Sequence, residues 1–102
     1  MVRITNSEMY HPSDFYAQTL INNGTLNRKQ IFISDGSKKI VIRWNDTIGA
    51  WTISGQTPQT GEIIRFMSQS DVSNPVNAFW SYLPNGTQNE MISAPLLNVK
   101  GK

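Results

Sequence analysis

The chain has 102 residues, no cysteine, and nine Lys and Arg against seven Asp and Glu, which gives a formal net charge of +2. A chain of this length builds one domain, and without cysteine it has no disulfide, no thiol nucleophile and no cysteine-based zinc site. Charged residues make up 16% of the chain, whereas Ser, Thr, Asn and Gln account for 34 residues. This composition excludes a coiled coil, a basic tail, an acidic solvating segment and a membrane span.

Turn sequences divide the chain into short segments. Asn-Gly and Asp-Gly dipeptides, which accept the positive φ of tight hairpins, occur at 23–24, 35–36 and 85–86. The segments between the turns are rich in Ile, Val, Thr, Phe and Trp, which favour strands. We therefore predict strands at 2–6, 15–21, 25–33, 39–45, 50–54, 62–68, 79–83 and 90–98. This spacing predicts an all-β fold, a single small antiparallel β-sandwich or open barrel built as a meander of about seven or eight strands.

Alternation of side chains is clearest in the middle of the chain. Successive side chains of a strand point to opposite faces, so Ile40, Ile42 and Trp44 share one face. We predict three consecutive strands with a common inner face made of Ile31, Ile33, Ile40, Ile42, Trp44, Trp51 and Ile53. We expect one domain over 1–102, with a meander core at about 25–54 and C-terminal strands at about 62–98.

The segment after residue 73 allows two predictions. Asn74 and Pro75 are typical of the first positions of a helix. Helical spacing follows in Val76, Phe79, Trp80 and Leu83. An extended segment is the preferred prediction, because Pro-Asn-Gly at 84–86 closes it like a hairpin.

The sequence carries no motif that indicates catalysis. His11 is the only histidine and lies in a predicted loop, and the seven carboxylates are scattered singly. The chain lacks a Gly-x-Ser-x-Gly elbow, a calcium-binding loop and a Gly-rich phosphate loop. We therefore predict a protein that is not an enzyme and that has no catalytic residue, no metal site and no cofactor.

Aromatic residues give the strongest indication of function. We expect Trp44 and Trp51 in the core, because they belong to the predicted inner face. Trp80 and Tyr82 share one face of the strand predicted at 79–83, beside a loop rich in Pro and Asn, so we expect them to be exposed. With two nearby amides they form the candidate interface or ligand site, which comprises Trp80, Tyr82, Asn77 and Asn85.

Basic residues form local clusters. The candidate basic patch comprises Arg28, Lys29, Lys38, Lys39 and Arg43. A net charge of +2 over the whole chain produces only a weak field. We therefore prefer solvated strand ends as the interpretation of this patch, and phosphate binding is the alternative.

Common sheet residues recur here in an ordered pattern. It consists of Asn-Gly-Thr at 23–25, an Ile/Trp strand at 40–44, Trp-x-Ile at 51–53, Ser-x-Ser-Asp at 68–71, Pro75 and Trp80. This pattern resembles a small Trp-containing all-β module of phage and bacterial structural and adhesive proteins, and it covers about three quarters of the chain. The chain departs from the module at 28–32, where Arg-Lys-Gln-Ile-Phe replaces Gly-Lys-Pro-x-Tyr. The resemblance implies a structural or adhesive role and supplies no catalytic residues.

These observations predict a structural or interaction subunit that packs against other proteins, as a homo-oligomer or as part of a larger assembly. A phage virion component, such as a capsid decoration protein or a tail or fibre protein, fits this description. We expect it in the virion or the host cytoplasm and not at a membrane. The alternative is a carbohydrate-binding, lectin-like module that uses Trp80, Tyr82 and loop amides. A nucleic-acid binder that uses the basic patch is the weaker alternative.

Overall fold

The structure, a computed structural model, describes residues 1–11, 15–34, 39–57, 61–87 and 90–101. The strands are β1 (Val2–Thr5), β2 (Thr19–Leu26), β3 (Lys29–Ser34), β4 (Lys39–Asn45), β5 (Ala50–Thr57), β6 (Gly61–Ser68), β7 (Ser81–Tyr82), β8 (Ile92–Ser93) and β9 (Asn98–Gly101). They form one antiparallel sheet with the spatial order β8-β7-β6-β5-β4-β3-β2-β1-β9. The sheet curls into a half-barrel, which confirms the predicted all-β open-barrel meander. The turn predicted at 35–36 lies outside the described residues.

The pairing of β4 with β5 places the central tryptophans together. Trp44 stands directly opposite Trp51, and the ring centroids are 6.1 Å apart in an edge-to-face arrangement. Residues opposite each other in a sheet share a face, so both rings lie inside the half-barrel. The predicted inner face is confirmed for five residues, all buried: Ile40, Ile42, Trp44, Trp51 and Ile53.

The inner face predicted for β3 is wrong by one residue. Phe32 is buried and stands opposite Ile42, whereas Ile33 stands opposite Val41 on the other face. Ile31 and Ile33 are accordingly only half-buried. A shift of one position exchanges the two faces of a strand, so the alternation of Ile31 and Ile33 pointed to the wrong side.

The β2–β3 hairpin turns later than the sequence predicts. The Asn-Asn-Gly sequence at 22–24 lies within β2, where the register with β3 shifts between Asn22 and Thr25, and Gly24 has φ +97°. The turn is formed by Asn27 and Arg28, with φ +55° and +68°. The Asn-Gly sequence therefore forms part of a β-bulge. The two-residue turn requires positive φ, which here is adopted by Asn27 and Arg28 instead of by glycine.

The sequence predicts one strand at 90–98, but this segment contributes to two strands, β8 and β9, which lie at opposite edges of the sheet. β8 pairs with β7, and β9 pairs with β1 over four residues. A turn separates them, in which the Leu97 amide donates to the Ala94 carbonyl. Pro95 lies in this turn and cannot donate a backbone hydrogen bond to continue a ladder.

The segment after Asn74 forms one turn of 3₁₀ helix, Pro75–Asn77. The Asn74 side chain accepts a hydrogen bond from the Val76 amide at 3.0 Å, and Pro75 occupies the first helical position. The predicted cap is therefore correct, while the helix stops after a single turn. A second 3₁₀ turn, Ser7–Met9, follows β1.

Apolar side chains form a large cluster on the inner face of the sheet and a small cluster on its outer face. The main cluster inside the half-barrel extends from β1 to β9, and its aromatic members include Tyr16, Phe66, Trp80 and Tyr82. A small second cluster, Ala50, Met67 and Leu83, covers part of the outer face.

The corrected register of β3 makes a testable distinction between two neighbouring residues. We expect Phe32→Ala to lower the free energy of unfolding by ~3–5 kcal/mol, because it removes a buried ring. Ile33→Ala should cost clearly less, about 1 kcal/mol, because the side chain is half-buried and its loss leaves no enclosed cavity. Urea unfolding of the two variants measures both values. Equal losses, or a larger loss for Ile33→Ala, would contradict the observed register.

Candidate functional site

A half-open pocket of about 440 Å³ lies at one end of the sheet, which we call the hairpin-end pocket. Its wall is formed by Asn27, Arg28, Lys29, Trp44, Asp46, Gly49 and Asp71. The residues come from the β2–β3 turn, from the β4–β5 turn and from the segment after β6. Because alternate connections of a meander lie at the same end of the sheet, these three segments meet although they are distant in sequence.

Hydrogen bonds stabilise the β2–β3 turn and the β4–β5 turn, which both line the pocket. The Asn27 side chain donates to the Trp44 carbonyl at 3.0 Å and so ties the β2–β3 turn to the end of β4. The Asn45 side chain accepts from the amides of Thr47 and Ile48, and Gly49 closes the turn with φ +65°. Side-chain bonds to a residue's own following amides are the typical chemistry of Asn in turns.

Lys29 is held on three sides. Its ammonium group donates to the Asp71 carboxylate at 2.8 Å and to the Val72 carbonyl at 3.2 Å. It also lies 4.8 Å from the centroid of the Trp44 ring, which is a cation–π distance. The side chain is only 17% exposed, so this charge is fixed in the wall of the pocket and does not project into solvent.

Both central tryptophans use their indole N–H groups at this end of the sheet. Trp44 Nε1 donates to Asp46 at 2.9 Å, and Trp51 Nε1 donates to the Val72 carbonyl, also at 2.9 Å. Each bond joins a core ring to a loop that lines the pocket. The sequence predicts the burial of both rings, but it gives no indication of these loop partners.

The predicted basic patch is divided between separate surroundings. Arg28 and Lys29 line the hairpin-end pocket, where two carboxylates balance their charge. Arg43 forms an ion pair with Glu62 at 3.3 Å on the outer face, and Lys39 is exposed at the start of β4. Lys38 lies outside the described residues. Two of the four described basic residues therefore carry a carboxylate partner, which reduces the positive potential available for a phosphate.

The predicted exposure of Trp80 and Tyr82 is wrong. Their exposed fractions are 6% and 7%, and both rings belong to the main apolar cluster. The Trp80 indole N–H has no hydrogen-bond partner among the described residues. Asn77 lies in the 3₁₀ turn, and the exposed Asn85 donates to Glu90 at 2.6 Å. The four predicted site residues do not form a common exposed surface.

Phe79 is the exposed aromatic residue of this segment, with 85% of its surface accessible. It precedes the buried Trp80, whose carbonyl accepts from the Ala94 amide and extends the β7–β8 pairing by one residue. Alternation along a strand could have indicated Phe79, because only one of two neighbouring aromatics faces the core. The sequence does not show which of the two that is.

Phe79 is one of five exposed apolar side chains on the segments that form or adjoin the β8 edge, and we call this set the β8 rim. The rim comprises Met9, Phe79, Met91, Ile92 and Leu96. Ile92 stands opposite Tyr82, and the Tyr82 ring lies 6.1 Å from the Tyr10 ring. The Tyr10 hydroxyl accepts from the Leu96 amide at 2.9 Å. These contacts bring the turn after β1 and the turn after β8 to the same edge of the sheet.

The half-buried His11 packs against the aromatic rings of Tyr16 and Tyr82. His11 Nδ1 lies 3.3 Å from the Tyr82 hydroxyl, and the His11 ring meets the Tyr16 ring edge to face. Arg65, at the register shift of β6, lies beside them and donates to the Pro84 carbonyl. Burial and the Arg65 charge lower the pKa of His11. Burial raises the pKa of Tyr16, and Arg65 opposes that change.

Comparison with family models, with curated proteins and with solved structures gave no match to this chain. Among the described residues, the longest helical segments are single 3₁₀ turns, and none could cross a membrane.

The lowered pKa of His11 predicts an acid-side loss of stability. Between about pH 7 and pH 5 the unfolded chain takes up a proton on His11 near its usual pKa of about 6.5, while the folded chain does so only at lower pH. The free energy of unfolding should therefore decrease as the pH falls through this range. His11→Gln, which keeps a polar group near Tyr82, should flatten that decrease when urea unfolding is measured at several pH values. An unchanged slope in the variant would contradict the assignment.

Proposed function

We propose that the protein is a non-enzymatic interaction subunit that binds a second copy of itself through the β8 rim. The observation that carries the proposal is that five large exposed apolar side chains lie on the segments that form or adjoin the β8 edge of the sheet. Single exposed apolar residues are normal on a soluble protein, whereas a grouped set at one edge is typical of an interaction surface.

The composition of the rim supports a protein partner. Two of its five residues are methionines and one is phenylalanine, types that are enriched at protein interfaces. Methionine adapts its shape to an irregular partner surface. The 85% exposed Phe79 ring is the natural anchor, because an aromatic ring that becomes buried on binding contributes a large apolar area.

The two edges of the sheet differ in a way that favours β8 as the contact edge. β9 carries the exposed charge of Lys100, and a lysine on an edge strand opposes pairing with another chain. β8 consists of Ile92 and Ser93 and follows Met91, so it carries no charge. A second copy could therefore add to this edge through backbone hydrogen bonds while its own rim covers the apolar side chains.

The resemblance to a module of phage and bacterial structural proteins supports placing this subunit in a larger assembly such as a phage particle. A contact between the β8 rims of two copies closes as a two-fold dimer, so further contacts in such an assembly would use other surfaces of the subunit. The polar loops at the other end of the sheet would then stay accessible.

A double substitution tests the proposal. Phe79→Ser with Leu96→Ser removes two exposed apolar side chains and leaves the core unchanged. Burial of one such side chain contributes about 1.5–3 kcal/mol, so the dissociation constant between copies should rise by at least ~10-fold. Size-exclusion chromatography with light scattering over a concentration series measures this change.

The matched control is Ile21→Ser with Leu26→Ser, which removes two exposed apolar residues from β2, far from β8 in the sheet order. This control should associate like the wild type. A wild-type protein that keeps the 11.5 kDa mass of one chain at every concentration would overturn the proposal. Equal weakening by both double variants would also overturn it.

A further inference from the structure

We infer that the hairpin-end pocket is a binding site for a small, neutral, polyhydroxylated molecule such as one monosaccharide unit. The site shares no residue with the β8 rim and does not depend on the proposed self-association. Its volume of about 440 Å³ falls within the ~300–1,000 Å³ that is typical of small-molecule sites.

The walls of the pocket are fixed before any ligand binds. Lys29 bridges Asp71, the Val72 carbonyl and the Trp44 ring, and Asn27 joins one turn to the strand that leads into the other. A site that is already ordered loses little conformational entropy on binding, so modest contacts are enough for measurable affinity.

The charges of the pocket indicate what kind of ligand it accepts. Two cations, Arg28 and Lys29, are balanced by two carboxylates, Asp46 and Asp71, so the formal charge of the wall is zero. A wall with no net charge gives an anion or a metal cation no net attraction to offset the cost of removing the ion from water. A neutral ligand does not carry this cost.

Donors and acceptors remain free for such a ligand. Arg28 is exposed and forms no hydrogen bond or ion pair with another described residue, so its guanidinium donors are available. Asp46 uses Oδ1 for the Trp44 indole, and its Oδ2 bonds to no residue in the described part of the chain. Asp71 is 76% exposed although it pairs with Lys29. A hydroxyl both donates and accepts, so a polyhydroxylated molecule can use the guanidinium and the carboxylates together.

Trp44 contributes to this site through its position and not through an open ring face. Lys29 covers the ring, and the ring meets Trp51 edge to face. Recognition would therefore depend on charge-assisted hydrogen bonds. This distinguishes the pocket from the carbohydrate site that the sequence predicts at Trp80 and Tyr82. Both of those rings are buried.

The test is a titration followed by amide NMR. The probes are the methyl glycosides of glucose, galactose, mannose and N-acetylglucosamine, with inorganic phosphate and calcium chloride at matched ionic strength as comparison ligands. We expect at least one glycoside to shift, in a saturable manner, the amides of Arg28, Lys29 and Asp46 and the Trp44 indole N–H. Phosphate and calcium should not shift them.

Two variants assign the contacts. Arg28→Ala and Asp46→Asn should each weaken glycoside binding by about tenfold or more, as expected for loss of a charge-assisted hydrogen bond. Asp46→Asn keeps an oxygen acceptor for the Trp44 indole, so the turn should stay folded. The matched controls are Arg3→Ala and Glu8→Gln, which remove the same charges from exposed positions outside the pocket.

Three results would overturn the inference. They are the absence of saturable shifts with all four glycosides, saturable binding of phosphate or calcium at these residues instead, and equal weakening by the control variants. Loss of self-association in the rim variants with retained glycoside shifts would separate this inference from the proposed function.

Discussion

The carbonyl oxygen of Val72 links the segment that follows β6 to two strands of the sheet, β3 and β5, through side-chain hydrogen bonds. It accepts from the indole of Trp51 on β5 and from the ammonium of Lys29 on β3. Lys29 then reaches Asp71, the neighbour of Val72, and the ring of Trp44. Because both donors are largely buried and fixed, the segment after β6 is anchored across the end of the sheet. These contacts hold the segment against the two turns, and the hairpin-end pocket lies between them.

The half-barrel separates two kinds of surface. Its hairpin ends collect turn residues such as Asn27 and Asp46, whose side chains satisfy backbone groups and also line a polar pocket. Its open edge at β8 leaves apolar side chains, Phe79 and Ile92 among them, without cover. In the proposed arrangement, protein contacts use the apolar edge and small-molecule contacts use the polar end, and the two sets share no residue.

The sequence predicted the parts of the fold that depend on local alternation. β4 has the predicted bounds, 39–45, because Ile40, Ile42 and Trp44 leave one choice of buried face. Local sequence patterns failed where two segments could each form the hairpin turn. The Asn-Asn-Gly sequence at 22–24 is typical of a turn but forms a bulge, and the chain turns at Asn27 and Arg28. Alternation grouped Trp80 with Tyr82 without showing that their face points inward. The pocket could not be predicted, because Lys29, Asp46 and Asp71 meet only through the sheet order.

The most direct test of the anchoring role of the Val72 carbonyl is hydrogen exchange in Trp51→Phe, which keeps a buried ring but removes the indole donor. The Val72 amide donates to the Ser70 carbonyl at 2.9 Å and reports on the order of this segment. In the variant we expect it to exchange roughly three- to tenfold faster relative to the Ile4 amide of β1, because a lost hydrogen bond costs about 0.5–1.5 kcal/mol. Trp44→Phe, which loses the bond to Asp46 but keeps both donors to the Val72 carbonyl, should leave this ratio unchanged. Equal acceleration of both amides in Trp51→Phe, or no change at Val72, would contradict the account.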